Sequence, residues 1–119
     1  MTKFNIVVLL YWVSLSSAAT DLSCLGSEPF WSLNAKGKHI EFSDINDQTI
    51  AFELSATLAS LNHTNRWIIQ GDGSQADTIT ISLSKTEQCS DDMSDFTYEY
   101  DVAFVMGEKV FSGCCNRMK

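Results

Sequence analysis

Alternation with a period of two runs through most of the chain after residue 20. Ile50, Phe52, Leu54, Ala56 and Leu58 alternate with Ala51, Glu53, Ser55 and Thr57. Ile79, Ile81 and Leu83 alternate with Thr78, Thr80 and Ser82, and Tyr98, Tyr100, Val102, Phe104 and Met106 with Glu99, Asp101, Ala103 and Val105. Successive strand residues point to opposite faces, so each stretch predicts a strand with one apolar face. Shorter strands are predicted over Phe30–Ala35, His39–Ser43, Arg66–Gln70 and Lys109–Cys114. Turn residues separate them: Lys36-Gly37, Asp44–Asp47, Gly71-Asp72-Gly73-Ser74 and Gly107-Glu108. Thr49–Leu61 could also support a helix through its Ala and Leu residues, but its alternation favours a strand.

About seven short strands, tight turns and no long capped helical pattern predict an all-β domain. A small antiparallel β-barrel of about seven or eight strands is favoured over a sandwich, because closure removes exposed sheet edges. Gly107-Glu108 suits a two-residue hairpin with glycine at the position that needs positive φ. That register pairs Met106 with Lys109, Phe104 with Phe111, Val102 with Gly113 and Tyr100 with Cys115. It puts Cys115 on the aromatic core face and Cys114 on the opposite face, across from Asp101.

The first residues have a different pattern. Met1–Lys3 form a short basic start, Phe4–Leu15 an apolar run, and Ser17-Ala18-Ala19 a small-residue cleavage site. This reads as a signal peptide over residues 1–19, too short to span a bilayer, followed by a single domain over 20–119. Cys24 follows Asp21-Leu22-Ser23, which lacks the aliphatic residue of a lipidation signal, so the protein is expected to be exported and not lipidated.

Four cysteines in a small exported chain predict two disulfides. Cys114 and Cys115 face opposite sides of one strand and should take different partners. Cys24–Cys115 with Cys89–Cys114 is the preferred pairing; the exchanged pairing stays open at this stage. Without Lys3, seven basic residues stand against fifteen acidic ones, a formal charge of −8. Such a charge disfavours nucleic acid and anionic lipid and steers cationic partners toward the chain.

Cys24-Leu25-Gly26-Ser27-Glu28-Pro29-Phe30-Trp31-Ser32-Leu33 resembles the opening of a largely uncharacterised family of bacterial exported proteins and lipoproteins. Cys89-Ser90-Asp91-Asp92-Met93-Ser94-Asp95, with Tyr98 and Gly113-Cys114, is similar to that family's second signature. The resemblance implies a small β-barrel like that of the bacterial inhibitors of c-type lysozyme, in the periplasm of a Gram-negative bacterium. It implies no established activity.

Physically, the first motif reads as structural. Glu28-Pro29 suits the start of a strand, Phe30 and Trp31 serve as an aromatic plug beside Gly26, and a buried Glu28 would need a donor such as Arg66 or Arg117. Phe30, Trp31, Phe52, Trp67, Tyr100, Phe104 and Phe111 are together expected to fill a narrow bore. Asp91, Asp92 and Asp95 lack the spacing and central glycine of a calcium loop. They read instead as partner-binding candidates on an irregular segment spanning Ser84–Phe96. His39 falls in a strand and His63 in a polar turn that carries the sequon Asn62-His63-Thr64. With no nucleophile-elbow motif, neither histidine points to a hydrolase, and no enzyme activity, metal or cofactor is expected.

The sequence therefore points to a binding or inhibitor-type module for a cationic protein, with a c-type lysozyme as the named candidate. The alternatives are a small-molecule carrier with an apolar interior and a structural envelope accessory protein.

Overall fold

A computed structural model describes residues 21–27, 29–74 and 77–118. The leader expected over residues 1–19 lies outside the described residues, as does Glu28. The strands are β1 (Leu22–Ser27), β2 (Phe30–Lys36), β3 (His39–Asp44) and β4 (Thr49–Ala59), then β5 (Arg66–Gly73), β6 (Thr78–Ser90), β7 (Thr97–Met106) and β8 (Lys109–Arg117). Each pairs antiparallel with the next, and β1 pairs with β8 to close an eight-stranded barrel.

The strand absent from the sequence reading is β1. Its inward residues Leu22, Cys24 and Gly26 alternate with Ser23, Leu25 and Ser27, a pattern weakened by small residues. Tight hairpins set the local registers. Gly37 and Gly107 have φ of 60° and 62°, the left-handed backbone that glycine adopts without strain. The β7–β8 ladder has the register read from Gly107-Glu108, with Tyr100 opposite Cys115 and Asp101 opposite Cys114.

Aromatic rings fill the bore. Trp31 meets Phe104 edge-on at a centroid distance of 4.9 Å, and Phe104 stacks on Phe111 at 5.2 Å, with Phe42 beside both. The indole lies across Gly26 of β1 and Gly113 of β8, where an added Cβ would overlap its ring. Both glycines are therefore required by the tryptophan. Cys24 and Cys115 are direct partners across the β1–β8 seam and form one disulfide; Cys89 and Cys114 form the other.

Three expectations need correction. Phe30 is 50% exposed rather than part of the plug, because Trp31 faces inward and its neighbour must face out. Ala56 and Leu58 do not continue the inward face of β4. A bulge between Leu54 and Ala56 inserts Ser55 and reverses the alternation, so that Leu54 packs on the core while Leu58 pairs with Ile68 on the outer face. Closure also leaves part of β4 paired on one side only. The β3 ladder stops at Glu53, Leu54 N donates to Lys38 O, and the second half of β4 continues with β5 alone.

Candidate functional site

The segment expected to be irregular over Ser84–Phe96 is strand as far as Ser90, and only Asp91–Phe96 forms a loop. The β6–β7 ladder breaks between Lys85 and Cys89, where Glu87 has a left-handed φ of 59°. On its other side Lys85, which still pairs with Tyr100, bonds to Asn65: Lys85 N donates to Asn65 O at 2.9 Å, and Asn65 Nδ2 donates to Lys85 O at 3.1 Å. Pairing resumes at Cys89–Tyr98 and Ser90–Thr97. From there the tip crosses the outer wall. Cys89 is bonded to Cys114 of β8, its Sγ lies 3.4 Å from Gly113 O as a packing contact, and Ser27 Oγ of β1 donates to Asp91 O at 3.3 Å. The disulfide is thus buried outside the bore, beneath the hairpin tip.

Asp91 organises the loop. Its Oδ1 accepts from Met93 N at 2.9 Å and Ser94 N at 3.0 Å, and its Oδ2 accepts from Tyr98 OH at 2.9 Å. Ser90 Oγ accepts from Asp92 N, and Ser94 Oγ accepts from Phe96 N. The Met93 N–H, then the Tyr98 hydroxyl, hold the Asp91 carboxyl below its ordinary range; the same carboxylate raises the Tyr98 hydroxyl. Of the three aspartates singled out in the sequence, Asp91 is engaged within the loop, whereas Asp92 and Asp95 are exposed.

Two residues that the sequence reading passed over stand beside them. Met93 is 73% exposed, and Phe96 is 56% exposed while stacking edge-on against Tyr98 at 4.9 Å. Their signal was available: two large apolar side chains in a segment otherwise made of Asp and Ser. Phe96 also lines an open cleft of about 540 Å³ with Thr97, Glu99, Asn116, Arg117 and Met118. Where the β7–β8 ladder ends, side chains take over. Asn116 Oδ1 accepts from Glu99 N, Glu99 Oε1 accepts from Arg117 N, and Glu99 Oε2 receives Arg117 Nε and Nη2 at 3.2 and 3.1 Å. The Arg117 backbone N–H and guanidinium lower the Glu99 carboxyl, and Glu99 raises Arg117.

Linkage gives these carboxyls a pH signature. A group whose folded pKa is depressed contributes stability above its unfolded pKa and loses it as pH falls through the folded value. The loop is therefore predicted to loosen below about pH 4, the ordinary carboxylate range. Amide protection factors at Met93 and Ser94 should fall there while core amides in β2 and β7 stay protected. Unchanged protection of Met93 and Ser94 down to pH 2.5, well below that range, would remove Asp91 as the loop's organiser.

His39 Nε2 lies 3.7 Å from Glu41 on an exposed wall, and His63 contacts Asn62. Among the described residues no group of three or more His, Cys, Asp or Glu is placed to hold a metal ion. Fold and site together define a closed, disulfide-braced β-barrel carrying a cross-linked loop with exposed acidic and apolar side chains. No protein-family model, curated protein or solved structure matches the chain.

Proposed function

We propose that the protein is a binding module of the oxidising, extracytoplasmic space that engages a cationic protein through the Asp91–Phe96 loop. The observation that carries this reading is the contrast between the loop's bracing and its exposed side chains. A disulfide, the Asp91 network and the Ser27 contact fix its shape, yet Met93 and Phe96 project into water beside Asp92 and Asp95. Ordering an apolar side chain in advance lowers the entropic cost of docking it, and exposed aromatic and Met side chains are typical interface anchors. The negative net charge favours a basic partner. The filled bore favours recognition on the outer surface over carriage of an apolar ligand. The two sequence motifs resemble an exported family whose barrel is likened to that of the inhibitors of c-type lysozyme, and this fold-level likeness makes such a lysozyme the first candidate and the periplasm the proposed compartment.

Asp92→Asn with Asp95→Asn is the direct probe. Asp92 has a φ of 64°, a conformation that Asn adopts readily, so the loop shape should survive. The double variant should associate with c-type lysozyme roughly tenfold more slowly at low salt, with little change in off-rate, since rim charges act mainly on encounter. Surface plasmon resonance at two ionic strengths reads both rates. An absence of binding and of lysis inhibition at micromolar concentrations would reject lysozyme as the partner. Wild-type on-rates in the double variant would reject the loop as the contact surface.

A further inference from the structure

We infer that the unpaired half of β4 is a self-association edge, through which two copies of this chain join by antiparallel strand pairing around Leu58. This goes beyond the binding proposed for the β6–β7 loop and uses a different surface.

The β4–β5 hairpin runs past the end of β3, so residues 55–59 have a partner on one side only. The hydrogen-bonding direction follows from one contact. Ser60 N donates to Arg66 O, so Ser60 faces β5; by alternation Leu58 and Ala56 also face β5. The N–H and C=O groups of Thr57 and Ala59 therefore point to the open side, and among the described residues nothing covers them. Ser55, Thr57, Leu58 and Ala59 are all exposed.

Soluble proteins blunt such edges with Lys, Pro or inward charges. This edge has none of these. From Leu54 to Asn65 the chain contains no Asp, Glu, Lys, Arg or Pro, although acidic residues outnumber basic ones fifteen to eight overall. Two copies repel one another over most of their surfaces, and the charge-free hairpin is where that repulsion is weakest. A twofold axis at Leu58 makes the edge self-complementary. Thr57 of one copy meets Ala59 of the other, twice, and each such pair exchanges both of its backbone hydrogen bonds. Leu58, 53% exposed on the outer face, then meets its own copy in the closer, non-hydrogen-bonded position. Leu61 at the hairpin tip is fully exposed and flanks this contact. The short edge implies weak pairing, with a dissociation constant on the order of 100 µM, in keeping with a contact well below the standard interface size.

Analytical ultracentrifugation of the oxidised protein over about 5–500 µM, chosen to bracket that weak-contact range, tests the inference. A monomer–dimer equilibrium is expected that strengthens as salt screens the repulsion between like-charged copies. Leu58→Lys should weaken it at least tenfold by placing like charges opposite each other at the axis. Thr57→Pro should do the same by deleting an outward N–H that the monomer does not use, and its thermal unfolding should match wild type. A protein that stays monomeric at the highest concentration in high salt overturns the inference. So does a dimer that both variants leave intact, or one that weakens as salt rises.

Discussion

Replacing Trp31 with alanine is expected to lower the free energy of unfolding by about 3–5 kcal/mol, the usual cost of truncating a buried aromatic. Trp31 is 2% exposed and touches the rings of Phe42, Phe104 and Phe111, so its removal strips one side from a four-ring cluster. The cavity cannot collapse easily. Gly26 and Gly113, which underlie the indole, have no side chains to move into the space, and closure of the barrel prevents β1 and β8 from shifting inward. Small domains have only about 5–15 kcal/mol in total, so the variant should lie near the limit of stable folding. Guanidinium unfolding of both proteins at 25 °C measures the difference. A loss below about 1 kcal/mol, the size of an ordinary tolerated substitution, would place Trp31 outside the core.

The second large effect is expected from the Cys24→Ala/Cys115→Ala double variant, which should lose about 2–5 kcal/mol. Cys24 and Cys115 are 91 residues apart and directly paired across the seam that closes the barrel. That seam brings together the two ends of the described chain, so its closure carries the largest loop entropy of any strand pair here. The Cys89–Cys114 bond spans 25 residues, and the same chain-entropy argument makes its removal less costly by about 1 kcal/mol. The two bonds should also differ in kind. Loss of Cys89–Cys114 should free the Asp91–Phe96 loop, quickening amide exchange there with the barrel still folded, whereas loss of Cys24–Cys115 should lower global stability. Chemical denaturation of the two double variants, with exchange measured at Met93, separates these outcomes. A larger stability loss from Cys89→Ala/Cys114→Ala would contradict the seam argument.

Much of this architecture is legible in short-range pattern. The alternation in Tyr98–Met106, the turn at Gly107-Glu108 and the facing of Cys114 and Cys115 all depend on residues within a few positions of one another. Their register in the structure is the one read from the sequence. The second motif was legible as a feature, but its division of labour was not. Asp91, Asp92 and Asp95 look alike in the sequence, and only the positions of Met93 N, Ser94 N and the Tyr98 hydroxyl make Asp91 an internal brace. Met93 and Phe96 lie in a segment without strand alternation, so nothing local sets their facing, and only the path of the loop turns them outward.

By itself the sequence determined most of the strand content, the β7–β8 register, the opposite facing of Cys114 and Cys115 and the expectation of cross-links in a small domain. Each depends on local alternation, turn chemistry or composition, which neighbouring residues specify without reference to the rest of the chain. Tertiary structure alone decided that β1 would close on β8, that Trp31 would require Gly26 and Gly113 beneath it, and that Ser55 would bulge and turn Leu58 outward. It also decided that the β6–β7 tip would cross the wall to β1, and that β4 would outrun its partner. These features depend on strands far apart in the chain competing for one closed surface, and a period-two pattern carries no information about which strand ends first.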